Sequence, residues 1–209
     1  MLALIVIIGL MLSMSAPALA GEVYHLKGNG VNAYWYEYDI STGVYTEINV
    51  SGQESVYNGS PGRPQAKTYV GIQVHQYRYE GYEYIPLSNV SYWGYVPTEC
   101  LIIDKNLAAV SLIVEGLEGW KWDYITEKST VVSLDVDVSW TATGPLSRNS
   151  YRWHYRSSMS MVNYRYQGKN RQATAQGSVC YDGVSKILGA SSWASIFSAR
   201  EGQVVVNRK

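Results

Sequence analysis

The sequence predicts an antiparallel all-β fold, a two-sheet β-sandwich, with a closed β-barrel as the alternative. Three observations carry that prediction. Apolar and polar residues alternate with period two in segment after segment. Gly, Asn, Asp and Pro break those segments at short intervals. No stretch shows the 3.6-residue apolar period of an amphipathic helix.

The 209-residue chain opens with an apolar run from Leu2 to Leu12, closed by Ala18-Leu19-Ala20. A run of that length before small residues reads as a signal peptide over 1–20, with a single exported domain over 21–209 and a secreted or cell-surface destination. No Lys or Arg precedes the run, so an uncleaved anchor is the competing reading. After cleavage no apolar segment is long enough to span a membrane.

Ala33 to Asp39 reads as the first strand, after a lead-in containing Gly28-Asn29-Gly30. Ser41-Thr42-Gly43 turns the chain. Val44 to Ser51 returns with Val44, Thr46, Ile48 and Val50 on one face. Gly52 to Pro64 has loop composition. Lys67 to Tyr79 is a long strand in which Val70, Ile72 and Val74 alternate with smaller or polar residues. Gly81 to Thr98 is interrupted by Pro86, Gly94 and Pro97 and reads as a connection holding at most a short edge strand.

Glu99 to Ile103 and Leu107 to Glu115 are hairpin arms around Asp104-Lys105-Asn106. Gly116 to Trp122 reads as a turn. Thr130 to Thr141 gives the clearest pattern: Leu134, Val136, Val138 and Trp140 face one way, Ser133, Asp135, Asp137 and Ser139 the other. Such a strand has one buried and one wet face. Gly144-Pro145 ends it. Ser157 to Tyr166 and Arg171 to Val179 read as a hairpin across Gln167 to Asn170. Trp193 to Ala199 and Gln203 to Asn207 read as another, across Arg200 to Gly202.

Lys and Arg total 17, as do Asp and Glu. A balanced chain offers no global electrostatic attraction to nucleic acid or to an anionic membrane, so neither is an expected partner. Cys100 and Cys180 can close a loop of about 80 residues, contributing about 4 kcal/mol in the chain-entropy account if they pair. No nucleophile-elbow, P-loop, dinucleotide or zinc-protease signature occurs. His25, His75 and His154 lie on separate segments and predict no metal site. No cofactor is implied. Asp135 and Asp137 share a strand face, which suits a solvated surface better than a catalytic pair. Asn49, Asn58 and Asn89 each open an N-x-S sequon.

The aromatic inventory points to function. Tyr numbers 19 and Trp 7, against one Phe. Tyr and Trp pair an apolar body with a polar tip, which suits interfaces. Tyr34, Tyr36 and Tyr38 line one face of a strand. Tyr77, Tyr79, Tyr82, Tyr84, Tyr92, Trp93 and Tyr95 form the candidate ligand platform. Flat rings stack on sugar faces and also anchor protein partners; cross-strand pairing that stabilises the sheet is the plainer role. The leading expectation is a secreted, non-enzymatic binding module for a glycan or another surface polymer. A structural or adhesive subunit, adding the segment from Gly21 to Asn32 to a neighbour's sheet, is the second. A glycoside-active enzyme using carboxylates among Glu37, Glu83, Glu99 and Asp123 is the third.

Overall fold

The computed structural model describes residues 22–59 and 65–207. The signal-like segment therefore lies outside the described residues. The strands run as β1 Glu22–Asp39, β2 Val44–Gly59, β3 Gln65–Glu80, β4 Glu83–Val96, β5 Leu101–Ile103, β6 Ala109–Asp123, β7 Lys128–Ala142, β8 Ser147–Arg156, β9 Ser160–Tyr181, β10 Val184–Leu188 and β11 Trp193–Asn207. One short 3₁₀ turn, Thr98–Cys100, precedes β5. All pairings are antiparallel, so the predicted class holds.

The ladder does not separate into two sheets. It runs β1-β2-β3-β4-β6-β7-β9-β11 and returns to β1. Its narrowest join is β4 to β6, where only Ser88 to Ser91 pair with Asp123 to Trp120. Strand β9 does the work of two. Residues 173–181 pair with β7, and residues 161–170 pair with β8 along the same edge. Its other edge carries β10 and then β11.

Alternation decides what is buried. The inward residues are Val31, Ala33 and Trp35 on β1, Ile48 and Val50 on β2, Val70, Ile72 and Val74 on β3, and Val90 on β4. They share one apolar cluster with Leu112, Leu134, Val136, Val138, Trp140, Val179 and Ile196. Two indoles tie distant strands through their polar tips. Trp140 Nε1–H donates to the Asn32 carbonyl at 3.2 Å, and Trp35 Nε1–H donates to the Gly189 carbonyl at 2.9 Å. A buried Trp with a satisfied N–H anchors more specifically than Phe would.

The strands are longer than local composition suggested, because cross-strand pairing overrides isolated Gly and Pro residues. Gly28-Asn29-Gly30 lies inside β1, whose partners are β2 and β11, so it is no loose lead-in. The segment 81–98 holds the fourteen-residue β4. Pro86 is tolerated because the β3–β4 register slips between Gln76 and Tyr77, beside it. The expected turn at 116–122 is strand, bent where register slips between Val114 and Leu117. Gly116 there has φ +67° and its N–H donates to Asp135 Oδ1 at 2.7 Å. Both expected hairpins at the C-terminal end are single strands, β9 and β11.

The expected disulfide does not form: Cys100 and Cys180 are both free thiols. Cys100 packs against the core cluster from the 3₁₀ turn. Cys180 sits between the inward-facing Val179 and Tyr181 and points to the other side of β9. Side chains on opposite sides of a sheet cannot bring their sulfurs together.

Candidate functional site

The outward face of β1–β4 collects the aromatic residues, because the register stacks odd and even positions into rows. Tyr38, Tyr45 and Tyr77 form one row across β1, β2 and β3. Tyr36, Glu47, His75 and Asn89 form the next, reaching β4. Tyr34, Asn49, Gln73 and Ser91 follow, and then Ser51, Gly71 and Trp93. Tyr69 and Tyr95 pair beyond them. From Tyr77 to Tyr69 along β3 is about 27 Å at strand rise.

One end of this face is a tyrosine cluster. Tyr45 stacks on Tyr77 with centroids 5.3 Å apart and packs against Tyr38 at 4.5 Å. Tyr84 closes on Tyr77 at 4.9 Å. The Tyr77 hydroxyl donates to Glu47 Oε1 at 2.9 Å. Burial, and then that hydrogen bond to the carboxylate, push the Tyr77 phenol well above the usual range. Tyr36, Tyr38, Tyr79 and Tyr84 remain about half exposed.

The middle of the face is a polar depression of about 280 Å³ lined by Tyr34, Glu47, Asn49, Gln73, His75, Asn89 and Tyr124. Gln73 Nε2 donates to Asn89 Oδ1 at 3.2 Å. His75 Nε2 and the Tyr84 hydroxyl share a hydrogen bond. Tyr34 is pushed up to about 12, first by burial and then by the negative charge of Glu47. All the groups ringing this depression except Tyr124, which reaches in from the β6–β7 turn, stand at cross-strand positions, so sheet pairing sets their spacing.

The far end carries Trp93, Tyr69 and Tyr95. Trp93 lies over Gly71, where a Cβ would fall 2.1 Å from its ring. Tyr69 stacks beside it at 6.4 Å and meets Tyr95 edge-on at 5.6 Å. Lys67 Nζ sits 5.0 Å from the Tyr95 ring centre.

The seven residues read as one platform therefore divide. Tyr77, Tyr79 and Tyr84 join the cluster at one end, and Trp93 and Tyr95 stand at the other. Tyr92 turns inward against the core, and its hydroxyl donates to the Tyr95 carbonyl at 3.3 Å. Tyr82 is fully exposed in the β3–β4 turn. Tyr36, Tyr38, Tyr45 and Tyr69 belong with these rings, as do the polar residues between them. Only Tyr36 and Tyr38 carried a sequence signal, as alternating aromatics on β1. The polar belt had none, since its members come from four strands.

The carboxylates considered for glycoside chemistry stay apart. Glu37 pairs with Lys186 at 2.7 Å. Asp123 accepts the backbone N–H groups of Ile125 and Thr126 in the β6–β7 turn. Glu83 is in β4 and Glu99 in the 3₁₀ turn. Asp135 braces the β6 bulge, and Asp137 is exposed beside it.

No family model matches the chain, and no curated protein matches it. Among solved structures, it overlaps with a provisionally named AttH from Nitrosomonas europaea at 7% identity and a TM-score of 0.31. The overlap takes in 90% of this chain, which spans 52% of that protein's length. Overlap at that score identifies neither a shared fold nor a shared function.

Among the described residues no helix is long and apolar enough to cross a membrane.

Proposed function

We propose that the protein is a secreted, non-enzymatic binding module that takes a glycan chain along the outward face of β1–β4. The observation behind this reading is the order of groups on that face. Exposed rings stand at both ends, and carboxamides, a carboxylate and an imidazole fill the depression between them. A sugar presents a C–H face to an aromatic ring and hydroxyls to amide donors and acceptors. Asn49, Gln73 and Asn89 offer both kinds of group, and Glu47 offers acceptors. The rings are anchored by their neighbours, so little side-chain freedom is lost on binding.

A glycan array tests the reading, followed by calorimetry on any hit. Trp93→Ala and Tyr36→Ala should each weaken binding at least about tenfold, as anchor residues do. An array without a hit, or unchanged affinity in both variants, would overturn it.

A further inference from the structure

The zero net charge conceals a separation. Residues 143–209 carry ten Lys/Arg against two Asp/Glu, whereas residues 1–142 carry seven against fifteen. The structure gathers much of that excess on one surface. Where β1, β9 and β11 run past the apolar core, their inward-facing positions continue as polar ones. Val179 and Ala175 on β9 are buried, so strand alternation puts Arg171, Lys169, Gln167 and Arg165 on that same side. Ile196 on β11 does likewise for Ser198 and Arg200.

Strand β8 completes this surface. Arg148 stands opposite Lys169, and Arg152 opposite Arg165. Arg200 stands opposite Gln167 on one side and Lys27 on the other. Like charges directly across a ladder are unfavourable, yet three such pairs occur here, two of them four residues apart on β8 and the third between Lys27 and Arg200. None of these cations has a carboxylate within ion-pair distance among the described residues. Acidic positions lie at its margins: Glu54 on β2, two strands beyond β11, and Asp104, whose carboxylate accepts from the Asn106 N–H beside Arg171. Two adjoining depressions lie between the cations. One of about 370 Å³ is bordered by Arg148, Lys169 and Arg200. The other, of about 550 Å³, is bordered by Arg152, Arg165 and His154 together with Trp153 and Tyr164. Together they run about 20 Å along β8.

We infer that this basic face binds an acidic polysaccharide, its carboxylate or sulfate groups bridging the facing Arg–Arg and Arg–Lys pairs. Guanidinium forks match such planar or trigonal oxyanions. An anion between two facing cations turns an unfavourable pair into two favourable ones. A nucleic acid fits less well. Tyr151, Trp153, Tyr164 and Tyr166 lie on the opposite side of β8 and β9, stacked in pairs at 4.9 and 5.4 Å. Trp153 and Tyr164 also border the second depression, but their rings are stacked on one another, so a base finds only part of that aromatic surface free. This site is separate from the glycan face of β1–β4.

Heparin titration by calorimetry at several salt concentrations tests the inference, with a single-stranded oligonucleotide and phosphatidylserine vesicles as competing probes. Heparin should bind with affinity that falls steeply as salt rises. Arg152→Gln with Arg165→Gln should weaken it at least tenfold and lower the salt dependence. Arg78→Gln with Lys128→Gln, remote cations, should leave it unchanged. The Arg152/Arg165 double variant should melt no lower than the natural chain, because a like-charge pair is removed. Absence of heparin binding at low salt, tighter binding to the oligonucleotide or vesicles, or equal loss in both double variants would overturn the inference. Trp93→Ala should leave heparin affinity intact, so this site can fail or stand independently of the aromatic face.

Discussion

Replacing Gly71 by alanine probes the seat on which Trp93 rests. An alanine Cβ would fall 2.1 and 2.4 Å from two indole carbons and 2.7 Å from Ser51 Oγ. The hydroxyl can rotate away, but the indole has to leave. Trp93 is 56% exposed, so somewhat under half of a side chain that buries up to about 250 Å² is covered. About 100 Å² at about 25 cal/mol per Å² bounds the loss near 2.5 kcal/mol, and residual burial in the unfolded chain brings it to about 2. Alanine in a strand interior recovers about 0.5–1 kcal/mol over glycine. The net expectation is destabilisation of about 1 kcal/mol. In a Trp93→Ala background the seat is empty, and the same substitution should stabilise by about 0.5–1 kcal/mol. Urea unfolding of the four proteins, followed by far-ultraviolet circular dichroism, measures a coupling of about 2 kcal/mol. If Gly71→Ala has the same sign and size in both backgrounds, Trp93 does not rest on Gly71 and the packing argument fails.

Gly177→Ala should be far more costly. Gly177 has φ +153°, and its Cβ would meet the Asp137 carbonyl oxygen at 2.0 Å and the Val138 Cα at 2.8 Å. Both are backbone atoms of the paired β7, so neither can step aside; a loss of about 3 kcal/mol or more is expected, and an unchanged melting temperature would refute it. Alkaline stability should reflect Tyr34. Its phenol titrates near 12 in the folded chain against an ordinary 10.0, so between those values the unfolded chain releases a proton that the folded chain keeps. Stability therefore falls as pH rises through that window, with a ceiling of about 1.4 kcal/mol per pH unit that partial exposure reduces. Urea midpoints between pH 9 and 12 should decline less steeply in Tyr34→Phe than in the natural chain; parallel curves would refute the assignment.

The β class was legible because alternation is a local property. The Leu134–Trp140 pattern reports a half-buried strand wherever that strand is placed. Strand ends were less so. Composition marked 81–98 as irregular, yet pairing with β3 holds β4 straight apart from the slip beside Pro86. The same holds for β9, whose central Gln167-Gly168-Lys169-Asn170 has turn composition but is paired on both edges. The charge separation was present in the sequence, but a chain-wide balance averages it away. The aromatic platform was only partly legible, since alternation turns Tyr92 inward while leaving Trp93 outside.

By itself the sequence determined the antiparallel β class, the inward residues of the clearest strands, and the wealth of amphipathic rings available for binding. These follow from period and composition, which act within a few residues. The tertiary structure decided the closed strand circuit, the polar belt between Glu47 and Asn89, the facing cations of β8 and β9, and the separation of Cys100 from Cys180. Each of those depends on which strand lies beside which and in what register. Register is set by packing the core across the whole chain, and sliding any one strand by a single residue would exchange its two faces.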